Sequence, residues 1–172
     1  MVEWSLDVLR KVCDRVVVAV PPDRAHPPDF VAGGATRSES VRNALDAAPE
    51  ATIAVVHDAA RPLVTVDLVR RCLDALDEGY DGVIAAIPVT DTVKEVEKGD
   101  VVRTPDRSRL WAAQTPQVFR ADALRSAAGE ATDDASLVEA MGGRVRVVEG
   151  TRENFKVTTR LDARVAEMLL AH

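Results

Sequence analysis

Ile53-Ala-Val-Val-His57-Asp58-Ala59-Ala60-Arg61-Pro62 couples an apolar run directly to a short polar motif. The apolar part lacks the alternation of a strand with one wet face, so it reads as a central strand covered on both sides. Asp58 then emerges at the carboxyl end of that strand, which is where open α/β sheets place their ligands. A carboxylate there is a hard oxygen donor suited to Mg2+. Arg61 follows within reach of a phosphate, which it could meet through paired hydrogen bonds. Ala59 and Ala60 leave room for a ligand. An Asp–Arg pair that organises a turn accounts for the same spacing. His57, a lone histidine ending a strand, is expected to be satisfied locally and carries no catalytic role.

Outward from this motif, three more runs read as buried strands: Arg15–Val20, Gly82–Pro88 and Val145–Glu149. Helical patterns alternate with them. Trp4, Leu6, Leu9, Val12 and Cys13 share a helical face, and Val41, Ala44 and Leu45 mark a helix within Ser38–Ala47. Thr65 can cap a helix running to about Leu76, with Asp67 near its positive end. Thr132 or Asp133 can cap another, stopped by Gly142 and Gly143. The last begins near Thr159, with Asp162 in a capping-box arrangement. The alternation predicts an α/β fold with a mostly parallel sheet and helices on both faces.

Asp91–Ala113 breaks this rhythm. Short β-like pieces surround a Gly99-Asp100 turn, too polar for a central strand and too long for an ordinary connector. A projecting β-arm that pairs with another subunit explains it, and so does a simple surface excursion. Arg107 close to an apolar Leu110-Trp111 anchor is a pairing expected where an arm docks.

Composition narrows the partners. The 172 residues suit one domain, and the 47% hydrophobic and 29% charged content is that of a soluble globular chain. With 3% aromatic residues the core must be aliphatic. A net charge of −6 argues against a nucleic-acid-coating surface, but leaves room for a nucleotide met by a few local cations. No apolar run is long enough for a bilayer and no signal pattern opens the chain, so a cytoplasmic location is expected. Cys13 and Cys72 lack metal spacing and suggest no disulfide.

Two further stretches could carry chemistry. Gly33-Gly34-Ala35-Thr36-Arg37-Ser38-Glu39-Ser40 combines backbone freedom with donors at a helix start, although a plain loop and cap uses similar residues. Glu153-Asn154-Phe155-Lys156-Val157-Thr158 offers a lysine able to neutralise charge during phosphoryl transfer; most lysines are simply solvated.

Taken together, GGATRSESV, HDAARP, DTVK, DRSRLW, QTPQ, TDDAS and EGTRENFKVT resemble the 2-C-methylerythritol-phosphate cytidylyltransferase family, from about Val16 to the end. The resemblance implies a single Rossmann-like nucleotidyltransferase domain over residues 1–172, with a β-arm at about 91–113, and a homodimer with exchanged arms. It implies CMP transfer from CTP to 2-C-methyl-D-erythritol 4-phosphate with release of pyrophosphate, in isoprenoid precursor synthesis, with Mg2+ or another divalent cation. Asp58 matches the metal-binding aspartate and Ala59 a neighbour of the nucleotide. Gly34 and Ser40 match cytosine-contacting positions. Arg61, Thr92, Arg107 and Thr132 match positions that hold the sugar phosphate, with Thr92 and Arg107 reaching it from the partner's arm. Lys156 matches the lysine that stabilises the pentacoordinate phosphorus, so Lys156 and Arg107 are the expected catalytic side chains. The substrate phosphate itself attacks the α-phosphorus of CTP, and no strong general base is needed.

The resemblance also brings a departure. Members of that family normally begin with a strand, a glycine-rich AAGxGxR loop and a lysine, whereas Met1-Val2-Glu3-Trp4 resembles the helix that follows those elements. Either Met1 lies downstream of the true start, which the otherwise intact site residues favour, or the chain is truncated. Were it complete as given, severely impaired catalysis and a partly uncovered sheet are expected. Two other readings compete: a ribitol-5-phosphate cytidylyltransferase, which shares the HDAARP-like and QTPQ-like motifs, and a catalytically impaired homologue that serves only as a dimerisation or binding protein.

Overall fold

A computed structural model describes residues 2–127, 129 and 131–171. In chain order the elements are α1 (Val2–Leu9), β1 (Val18–Val20), β2 (Phe30–Ala32), α2 (Arg37–Asp46), β3 (Ile53–Val56) and α3 (Val66–Leu76). There follow β4 (Gly82–Pro88), β5 (Glu95–Glu97), β6 (Asp100–Arg103), β7 (Trp111–Arg120), α4 (Ala121–Ser126), α5 (Asp134–Ala140), β8 (Val145–Glu149) and α6 (Arg160–Leu170).

The main sheet has four strands in the order β3-β7-β4-β8. Strand β4 is the apolar spine anticipated from its sequence, buried from Gly82 to Ala86. It runs parallel to β8 but antiparallel to β7, which also runs antiparallel to β3. The α/β architecture and the mostly parallel sheet are as expected: β3, β4 and β8 run in one direction. The strand that runs against them is β7, whose centre is Gln114-Thr115-Pro116-Gln117. Proline cannot donate to a ladder, and the pairing with β4 shifts register between Ile84 and Ala86, opposite this stretch.

Alternation along β7 divides the core. Val118 faces Leu68, Cys72 and Leu76 of α3 together with Val83. Its neighbour Phe119 faces Leu45 of α2, Leu124 of α4 and Val138 of α5. Each such large side chain contributes about 1.5–3 kcal/mol when fully buried. Helices thus cover both faces, and the caps are those read from the sequence. Thr65 accepts from Leu68 N–H, Asp133 from Ser136 N–H, and Thr159 forms a capping box with Asp162.

Strands β1 and β2 pair in parallel as a separate two-stranded sheet. Between β1 and β3 lies a cavity of about 350 Å3, walled by α1 and α2 through Leu6, Leu9, Val41 and Ala44 and open at Ser40, Asp58 and Ala59. Among the described residues no strand pairs with the β3 edge that faces this cavity.

Strands β5 and β6 form a two-stranded hairpin in which every residue is exposed. Its turn is Lys98-Gly99, both at positive φ, one position earlier than the sequence suggested. The Leu110-Trp111 end of the irregular stretch is not in this hairpin: Trp111 opens β7 opposite Pro88.

Candidate nucleotide site at the carboxyl end of strand β3

Strand β3 ends at Val56, so His57 and Asp58 leave the sheet at the mouth of the cavity. A chain of hydrogen bonds fixes how they leave. A carbonyl can only accept, so His57 Nε2–H donates to Arg61 O at 3.1 Å. Nδ1 then accepts from the Thr115 hydroxyl at 3.0 Å, and Thr115 Oγ1 accepts the Asp58 N–H at 3.0 Å. The imidazole is bonded at both nitrogens, an arrangement that suits its neutral form. Burial pushes its pKa below the ordinary value, with the nearby Asp58 charge opposing. The local satisfaction expected of His57 is what the structure contains.

The Asp58 carboxylate, 17% exposed, is met on both oxygens. Lys156 Nζ lies 2.9 Å from Oδ2, and Arg37 Nε lies 3.4 Å from Oδ1. Burial alone would raise the Asp58 pKa. The hydrogen bond from Lys156 and the charges of Lys156, Arg37 and Arg61 outweigh it, holding the group below the usual carboxylate range.

Lys156 reaches this position because its loop is fastened to the Asp58 loop. Arg61 Nη1 donates to Asn154 O at 2.8 Å, and Val157 N–H donates to Ala60 O at 2.8 Å. The Asn154 side chain, itself buried, donates to Gln114 Oε1 at 3.2 Å and Thr115 O at 2.8 Å. Gln114 Nε2 returns a bond to Thr151 O at 2.9 Å. Gly150 packs so closely here that a Cβ would stand 2.3 Å from Gln114 Oε1. Arg61, expected to face a phosphate, is thus largely engaged with main-chain carbonyls; its second contact, to Ala113 O, is a longer 3.4 Å.

Ser40 lines the cavity from the α2 side, and Gly34 is hydrogen-bonded to it. Gly34 N–H donates to Ser40 Oγ at 3.0 Å, and that hydroxyl donates to Thr36 O at 3.0 Å. A Cβ at Gly34 would come within 2.1 Å of Glu39 Cβ, so only glycine allows the loop to fold back on α2. Ser40, Asp58 and Ala59 line one cavity together. Thr132 is exposed just ahead of the Asp133 cap of α5. Thr92 and Arg107 are exposed beside the hairpin, and Arg107 Nη1 donates to Thr90 O at 2.7 Å. Among the described residues no hydrogen bond or ion pair ties either of them to the Asp58 group. Arg37, Asp134, Thr115 and Asn154 were in recognised motifs, but only packing gives them their work.

A carboxylate at a strand end, met by Lys156 and Arg37 and lining a cleft, is an arrangement chemically able to meet a phosphorylated ligand. The sequence model of the 2-C-methyl-D-erythritol 4-phosphate cytidylyltransferase family matches residues 1–172. The chain is 48% identical over 183 aligned positions to the Streptomyces coelicolor enzyme of that description, covering 91% of this chain and 68% of that one. It is 47% identical to the Nocardia farcinica enzyme, covering 99% and 81%. A crystal structure of the Thermus thermophilus enzyme superposes with a TM-score of 0.86 at 38% identity, over 99% of this chain and 88% of that one. The chain belongs to the 2-C-methyl-D-erythritol 4-phosphate cytidylyltransferase family.

Proposed function

We propose that this chain is the nucleotidyltransferase that joins CMP from CTP to 2-C-methyl-D-erythritol 4-phosphate with release of pyrophosphate. The observation that carries this reading is the convergence of Lys156 and Arg37 on Asp58 at the mouth of an apolar-walled cleft. Family membership supports it over the ribitol-phosphate and non-catalytic alternatives.

A divalent cation fits the donor set. Among the described residues no cluster of three or more acidic, histidine or cysteine ligands occurs. Mg2+ commonly uses one or two carboxylates and completes its shell with water and substrate phosphates, and Asp58 is an ionised, half-buried carboxylate suited to that role. Such an ion would neutralise charge on the nucleotide phosphates. Lys156 would then place its ammonium against the equatorial oxygens of the α-phosphate as charge develops there. Gly34, Ser40 and Ala59 would border the nucleoside. Arg61 and Thr132 would hold the sugar phosphate on the opposite side, aligning its oxygen for in-line attack.

Thr92 and Arg107 enter this scheme from a second copy. The hairpin exposes Val96, Val101 and Val102 by 55–59%, an apolar surface that a homodimer with exchanged arms would cover. Among the described residues no helix is long and apolar enough to cross a membrane, in keeping with cytoplasmic chemistry on soluble substrates. The test is pyrophosphate release from CTP with methylerythritol phosphate or ribitol 5-phosphate as acceptor. Turnover confined to the first supports the reading. Preference for the second refutes it in favour of the ribitol-phosphate enzyme, and no CTP-dependent release from either refutes it in favour of the catalytically impaired homologue.

A further inference from the structure

We propose that Arg37 is the positioning residue of the Asp58 carboxylate and that buried Asp134 is its seat. This inference deepens the nucleotide-site reading and rests on it. Arg37, the first residue of α2, sends Nη1 to Asp134 Oδ2 at 2.7 Å and Nε to Asp58 Oδ1 at 3.4 Å. The Asp134 side chain is 1% exposed at the start of α5, and Arg37 is its cationic partner. One guanidinium therefore fastens the starts of two helices to the end of strand β3.

The asymmetry of the two distances assigns the roles. The short bond to a carboxylate sealed from water is the anchor, because separating a buried pair strands a charge. The longer bond to Asp58 is the working contact, and it yields when a ligand claims that oxygen. With Lys156 on Oδ2 and Arg37 on Oδ1, the plane of the Asp58 carboxylate is set before any ligand arrives. Arginine suits this task because its rigid fork presents separate nitrogens to separate acceptors, whereas a lysine ammonium is a single point on a flexible stem. Removing a group that orients a metal-binding carboxylate typically costs about 10–100-fold in metal affinity.

The test uses Arg37→Lys in the full chain, which keeps the positive charge beside Asp134 but loses the fork. Binding of Mn2+ with CTP is followed by the paramagnetic signal of free Mn2+, beside the unaltered chain and Asp58→Ala. Arg37→Lys is expected to unfold cooperatively near the unaltered temperature and to bind Mn2+·CTP about tenfold more weakly. KM for CTP should rise in proportion while KM for the sugar phosphate stays within about twofold, a split that general loosening would not give. Unaltered affinity in Arg37→Lys, with affinity lost in Asp58→Ala, overturns this inference alone. Loss of cooperative unfolding in Arg37→Lys also overturns it, by making Arg37 a folding residue. Absence of Mn2+·CTP binding by the unaltered chain, or full binding by Asp58→Ala, overturns the nucleotide-site reading and this inference with it.

Discussion

Lys156 Nζ stands 2.9 Å from Asp58 Oδ2, at the meeting point of two loops that lie far apart in the chain. Lys156 is 47% exposed, so this pair contributes little to stability. In the proposed reaction its use is electrostatic. Lys156→Ala should lower kcat by about 10²–10³-fold, the scale of losing one transition-state donor, while the urea midpoint barely moves. Initial rates of pyrophosphate release and an unfolding curve check both halves; a large stability loss would make the pair structural.

Asn154 is the rivet beneath that pair. Asn154→Ala deletes the donor to Gln114 Oε1 and Thr115 O. Leaving such buried acceptors unpaired should cost about 1–3 kcal/mol. Equilibrium urea denaturation reads the loss directly, and slower turnover should accompany it because the Lys156 loop is no longer fastened.

His57 makes the fold sensitive to acid. Its pKa is pushed down by burial, so below the ordinary value of about 6.5 the unfolded chain binds a proton that the folded chain refuses. Stability is then unaffected by this group above that pH and falls as pH drops from there toward the depressed folded pKa. Asp58 has the opposite position on the scale: its lowered pKa confers stability that is lost only in the carboxylate range. Melting temperatures at pH 7.5 and 5.5 should differ in the unaltered chain, and His57→Asn should flatten that difference. An equal slope in both would remove His57 as the cause.

Val96 and Val101 face each other across the hairpin and are both exposed. In a homodimer built on this arm, Val96→Asp together with Val101→Asp should shift the mass measured by light scattering from two chains to one. The same variant should lose turnover if the arm delivers Thr92 and Arg107. A dimer that survives the change points to another interface.

The strands β4 and β8 and the caps of α3, α5 and α6 were legible because local signals agreed there: continuous apolar runs, or a capping residue ahead of a periodic stretch. Strand β7 was hidden for a physical reason that concerns the site. Its centre breaks strand chemistry with Gln114, Thr115, Pro116 and Gln117, and the first two hold Asn154 and His57. The residues that brace the Asp58 and Lys156 loops interrupt the apolar run by which the other strands were recognised. Asp58 could be placed from the strand that delivers it. Arg37 with Asp134 could not, since their pairing joins α2 to α5 and appears only once both helices are packed.

The clasp between Arg61 and Asn154 has a consequence for the life of the molecule before it is finished. Asp58 and its histidine leave the ribosome well before the ammonium that meets them. A nascent polypeptide therefore holds this carboxylate without its lysine until the segment around Asn154 and Lys156 closes over what was made first.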